Sequence, residues 1–213
     1  MQADDSRAAL LDAGERLIAE RGVDVPLRDI AAAAGQRNNS AVHYYFDSRN
    51  GLVEAIVERR MNRLEQRRME LLAAHEADGT GADPHALVGM LVGPMLELVG
   101  QDRTSHYGRF LEVVRTHPVI ADARRLAGAD RAAVRIIATR LDAAIPQLSP
   151  RHRRRRLETM TTVLFALVAD YERALQDGSR TQHLDTDTAE IADMLVAMLT
   201  VPARDPGLNT HRA

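Results

Sequence analysis

Apolar residues recur along this chain at three- and four-residue spacing, and the strict alternation that marks half-buried strands is scarce. Ala9, Leu10, Ala13, Leu17 and Ile18 make the first helical stripe, which stops at Gly22, a residue suited to a left-handed helix end. Pro26 fits the first turn of a short second helix with Leu27, Ile30, Ala31 and Ala34 inward, ended by Gly35. Asn38, Asn39 and Ser40 are capping types that open a third helix, with Val42, Tyr45 and Phe46 facing in. Asp47 or Ser48 caps a long fourth helix through Leu52, Val53, Ile56, Met61 and Leu64 toward His75. The turn-rich stretch Asp78–Pro84 then breaks the chain. Beyond it the spacing predicts helices over 84–100, 103–116, 118–127, 129–145, 150–177 and 187–200, with a frayed tail from Pro202 onward. The predicted fold is all-α: a three-helix, helix-turn-helix head in residues 1–50 and a larger helical body in 51–213. The fourth helix, from about residue 49, links the two.

Composition changes this picture little. Hydrophobic residues make up 45% of the 213 and charged residues 27%, as in ordinary globular proteins. No apolar run approaches the ~20 residues that span a bilayer, and Asp4 and Asp5 stand where a secretory signal needs basic residues. The expectation is a protein with no membrane association. With no cysteine there is neither a disulfide nor a thiolate metal site, which fits the cytoplasm. The net charge of -2 announces no nucleic-acid partner. Every basic side chain other than histidine is arginine, so any cationic phosphate contact falls to arginine.

The aromatics are concentrated. Of only three Phe and four Tyr, Tyr44, Tyr45 and Phe46 stand together. At helical spacing they cannot all face the core, so at least one ring is expected on the surface. An exposed tyrosine beside polar capping residues suits hydrogen bonding to phosphates.

These residues resemble the tetracycline-repressor (TetR) family of regulators. The likeness runs over Ser6–Met61 and is carried by Ala8–Gly22, by Leu27-Arg28-Asp29-Ile30-Ala31-Ala32-Ala33-Ala34-Gly35, and by Ser40–Phe46 followed by Ser48–Leu52. The resemblance implies that the third helix enters the major groove of an operator. Arg37, Asn38, Asn39, Ser40, His43 and Tyr44 are then the candidates for DNA contact. Arginine pairs with guanine and asparagine with adenine, while Ser, His and Tyr suit phosphates or base edges. Arg28 on the second helix and Arg49 at the start of the fourth are further phosphate candidates. Three departures stand out: the turn Gly35–Asn39 is one residue longer than the common pattern, His43 holds a position often given to tyrosine, and Arg49 replaces the usual lysine.

A head of this size needs a partner head to read DNA with specificity, which points to a homodimer on a two-fold operator. By resemblance, the last two long helices pair across that dimer, with Leu157, Leu164, Leu167, Val168, Tyr171 and Leu175 on one and Ile191, Met194, Leu195, Met198 and Leu199 on the other. The middle helices resemble a ligand-binding body. Met95, Tyr107, Phe110, Leu111, Val114, Met160, Leu164 and Phe165 are its candidate walls, for a small-molecule effector of mostly apolar character. His106, Arg109 and Glu112 are candidates for orienting that effector.

The run Arg151–Arg156 fits a solvated cluster, or arginines paired to acids of a neighbouring helix, better than a second DNA patch. Asp102 and His106 lack a third metal ligand nearby. No nucleophile elbow, phosphate-cradling glycine loop or His-Glu-x-x-His run is present, so no catalytic residue, metal or cofactor is expected. The leading reading is a ligand-responsive repressor. Its rival is a helical small-molecule binding protein whose head no longer binds DNA.

Overall fold

The computed structural model describes residues 2–36, 40–80, 82–102, 104–118 and 131–202. Among these residues the regular structure is helical, with no strand: α1 (Gln2–Arg21), α2 (Leu27–Ala33), α3 (Ala41–Phe46), α4 (Arg49–Ala77), α5 (Pro84–Gln101), α6 (Tyr107–Val114), α7 (Ala132–Ala143), α8 (Pro150–Gln176) and α9 (Leu184–Thr200).

The punctuation is local chemistry. Gly22 and Gly35 take positive φ, +88° and +69°, where a side chain would be strained, and they end α1 and α2. Ser48 caps α4 by accepting from the Gly51 N–H at 3.1 Å. Asp83 caps α5, and Ser149, ahead of Pro150, caps α8 through the His152 N–H. Three predicted boundaries move. The 103–116 helix begins only at Tyr107, because Asp102 turns the chain by accepting from both the N–H and the hydroxyl of Thr104. The same two bonds hold the Asp102 carboxyl below its ordinary range. The 187–200 helix begins earlier, at Leu184, because the Asp187 carboxylate reaches back one turn to the His183 N–H at 2.9 Å. The 129–145 helix is trimmed to Ala132–Ala143. The helix predicted over 118–127 lies almost wholly outside the described residues.

In the head, α1 packs on α2 and α4, and α3 on α2 and α4. Leu10, Leu11, Leu17, Ile18, Ile30, Val42, Leu52 and Ile56 fill the space between them, each at most 3% exposed. The body is centred on α5, apolar nearly all round, as a helix surrounded by others must be. It packs against α4, α7, α8 and α9. The short α6 lies against both α8 and α1, and so touches body and head alike. Gly108 is what lets α6 approach: a Cβ there would stand 2.9 Å from the Val168 carbonyl oxygen.

Buried charges fix this junction. Glu172, fully buried on α8, accepts from the Gly108 N–H, the Arg109 N–H and the Arg109 Nε, each at 3.1 Å. It thereby caps α6 from another helix, at a terminus whose own N-cap, His106, supplies no side-chain bond. In the head, Glu15 of α1 takes a bidentate pair from Arg60 of α4 at 2.8 and 2.7 Å, while Arg59 reaches Asp12 at 2.7 Å. None of the described helices is long and apolar enough to cross a membrane.

Candidate nucleic-acid interface

The third helix is short, and its two faces differ. Val42 and Phe46, four residues apart, are buried against the head's core, and Tyr45 is half-buried. Ser40, His43, Tyr44 and Asp47 fall on the opposite side and are exposed. Tyr44 is the extreme case, with 82% of its surface open. Its ring stands edge-on to Tyr45, centroids 4.9 Å apart and planes at 86°, which limits the directions its hydroxyl can take. One ring in, one half in and one out is the division expected of three consecutive aromatics on a helix.

His43 has a fixed tautomer. Its Nδ1 lies 2.9 Å from the Asp47 carbonyl oxygen, which only accepts, so Nδ1 carries the proton and Nε2 is left outward. Asp47 ends the helix at φ 65°, in the left-handed region, and turns the chain sharply into α4. This corner sets the direction of α3 relative to α4.

The arginines around α3 do different things. Arg28 of α2 is 75% exposed, 3.5 Å from Asp29, which also meets Arg21 at 3.6 Å. Arg49 is half-buried: its Nη1 donates to the Val23 carbonyl at 2.6 Å and to the Val25 carbonyl as well. It fastens the start of α4 to the loop entering α2, a structural task that its place as a phosphate candidate did not foretell. Arg7 holds its guanidinium 5.3 Å above the Phe46 ring, setting an exposed cation beside α3. No sequence signal singled it out, because the contact joins residues far apart in the chain. Arg37, Asn38 and Asn39 lie outside the described residues.

In the body, Met95, Tyr107, Phe110, Leu111, Val114, Met160 and Leu164 are buried, each at most 4% exposed, and Phe165 is half-buried. A cleft of about 740 Å³ lies elsewhere, between α1, α4 and the loop after α5, lined by Asp12, Arg16, Arg59, Arg60, Arg63 and His106 among others. None of the eight predicted wall residues lines it. The three polar candidates for orienting an effector are committed: Arg109 to Glu172, Glu112 to Arg173, and His106 to Glu20 at 3.4 Å. The Arg151–Arg156 run is likewise partly engaged, with Arg153 on Asp142 at 3.0 Å and Arg156 on the Leu199 carbonyl at 2.6 Å. Among the described residues no group of three metal-ligating side chains converges.

Comparison with known proteins bears on both parts of this architecture. A model of bacterial regulatory proteins of the tetR family matches residues 10–56, and one of the tetracyclin repressor-like C-terminal domain matches residues 89–200, more than half the chain. The chain belongs to the TetR family. Two crystal structures of NalD from Pseudomonas aeruginosa, described as the secondary repressor of the MexAB-OprM multidrug efflux pump, share the fold at a TM-score of 0.51. They are 21% and 20% identical to this chain, cover 94% of it, and are themselves covered over 100% and 98%. Among curated proteins no match was found. The head, matched over residues 10–56, is thus the helix-turn-helix region of a TetR regulator.

Proposed function

We propose that this TetR protein is a ligand-responsive repressor that binds a (pseudo)palindromic operator in double-stranded DNA as a homodimer. The observation that carries the reading is the outward face of α3, where Ser40, His43 and the 82% exposed Tyr44 project from a core held by Val42 and Phe46. Tyr44 donates to a phosphate or a base edge, His43 offers Nε2, and Arg37, Asn38 and Asn39 read bases from the preceding turn. Arg28 of α2 and Arg7 beside Phe46 supply exposed charge, and Arg49 fastens the start of α4 to the loop entering α2 while adding a further cation. The comparison with a repressor supports the sign of regulation. Residues 1–50 act as the reading head and 51–213 as the effector and dimer body, which places the protein in the cytoplasm with its operator.

The dimer forms through α8 and α9. Of the predicted pairing stripe, Leu164, Val168, Tyr171, Leu175, Ile191, Leu195 and Leu199 are consumed by the chain's own core. Leu167 and Met198 are half-buried and Met194 is 44% exposed, so the outward remainder of each helix is what meets the partner. Binding of an effector among Met95, Tyr107, Phe110, Leu111, Val114, Met160, Leu164 and Phe165 would alter the spacing of the two heads.

Tyr44→Ala is the direct test of the reading face. Because its ring is outside the core, the variant is expected to melt within about 0.5 kcal/mol of the parent in stability. Operator affinity, measured by fluorescence anisotropy, is expected to fall tenfold or more, about 1.4 kcal/mol. Unchanged affinity would remove α3 from the interface.

A further inference from the structure

Inside the body, two charged side chains keep unused hydrogen-bonding atoms. Arg68 and Glu65 lie on the inner stripe of α4, 3% and 9% exposed. Arg68 donates from Nη2 to the Leu91 carbonyl of α5 at 3.2 Å, and its Nε has no partner. Glu65 accepts at Oε1 from the Ala133 N–H, at 2.6 Å in the first turn of α7, and its Oε2 has no partner. Tyr107 of α6 is fully buried, and among the described residues its hydroxyl donates to the Met61 sulfur, at 3.7 Å, a weak acceptor. A second guanidinium, Arg131, is 8% exposed and opposes the charge of Arg68, while Glu65 favours it.

An interior of this kind is costly. A buried donor without a partner loses its hydration for nothing in return, and a buried charge loses more. A tie to a single carbonyl would need neither the charge of Arg68 nor its free Nε edge. Burial pulls the Arg68 guanidinium down only to about 10, so it is still cationic at neutral pH. Burial raises the Tyr107 phenol, so its hydroxyl stays protonated and donates. Arg68 and Tyr107 therefore present a guanidinium and a phenol O–H together in the interior, beside the Glu65 carboxylate.

We propose that Arg68, with Tyr107, recognises a carboxylate or similar planar oxyanion at one end of an otherwise apolar small molecule held in the body. This deepens, and rests on, the reading that the body binds an effector. The planar edge of a guanidinium matches a carboxylate through two parallel N–H bonds, which a lysine or a neutral amide does not reproduce. Tyr107 supplies a donor from α6, the helix that also touches α1. Glu65 holds the start of α7 in place through the Ala133 N–H. The walls remain apolar, so the predicted character of the effector is amended at one end only.

The test uses the full chain with octanoate and benzoate as probes against octanamide and benzamide, which match them in shape without the charge. Binding is read by thermal shift and calorimetric titration at neutral pH. The acids are expected to bind about tenfold or more tightly than the amides. Arg68→Met is expected to lose that preference, and Arg68→Lys should keep part of it. Should Arg68→Met fail to fold, Arg68→Gln, close in size and uncharged, takes its place. The proposal is overturned if the parent does not prefer acid to amide, or if the uncharged variant keeps the preference. Acids that bind through Arg68 yet leave operator affinity unchanged would uphold the site and refute the effector reading.

Discussion

Replacing Glu172 by alanine is expected to cost about 3–5 kcal/mol, because it strips a buried, fully engaged carboxylate from its donors. Three N–H groups end on Glu172: the Gly108 and Arg109 backbone donors of the first turn of α6, and the Arg109 Nε. No side chain of α6 itself replaces the cap, since His106 makes no capping bond. The Arg109 side chain, 22% exposed, would keep only its bond to Gln176. In a chain of this size the loss corresponds to a fall in melting temperature on the order of 10 °C. Glu172→Gln retains an acceptor and should lose less. Urea unfolding of the three proteins checks the ranking, and a loss under 1 kcal/mol for the alanine variant would show that α6 is not held this way.

Gly51→Ala comes next in size. Gly51 lies in the first turn of α4, directly after the corner made by Asp47 and Ser48, and a Cβ there would stand on the Phe46 carbonyl oxygen. That oxygen belongs to backbone and is itself engaged, accepting from the Ser48 N–H at 2.6 Å, so no side-chain rotation relieves the clash. The α3–α4 corner must open. The expected cost is about 3 kcal/mol or more, at or beyond the top of the range for ordinary overpacking. Because the corner aims α3, operator affinity should fall further than stability alone explains. A Gly51→Ala protein that melts with the parent and binds the same DNA would contradict the described corner.

Much of the helix punctuation is legible in the sequence. Gly22, Gly35, Ser48, Asp83 and Ser149 sit where the chain must stop or start a helix, and each acts through its own backbone or the next turn. Such signals are local, so sequence carries them. The boundaries that moved depend on side chains reaching out of register: Asp102 takes Thr104, and Asp187 takes His183, Tyr171 and Arg180 together. The roles of Arg49 and Arg7 rest on contacts between distant residues and left no pattern to read.

The buried charges are a different case. Glu172 falls between Val168 and Leu175, and Arg68, with Glu65, between Leu64 and Leu72, on stripes otherwise apolar. A charge on an inward stripe is itself a signal, readable from spacing alone, although hydrophobicity points only to the apolar positions beside it. The predicted ligand walls were chosen by hydrophobicity, and burial followed. The polar candidates His106, Arg109 and Glu112 stand close in sequence, and the fold gives each a partner within the protein, Glu20, Glu172 and Arg173 in turn.

The central claim is sequence-specific DNA binding by paired heads, and selection from a random duplex library by the purified chain tests it most directly. The account predicts enrichment of a (pseudo)palindrome whose half-sites lie about one helical turn, ~34–36 Å, or a multiple apart, with Tyr44→Ala failing to enrich it. A library that emerges without a recurrent site at physiological salt, or with the same site for Tyr44→Ala, would contradict it.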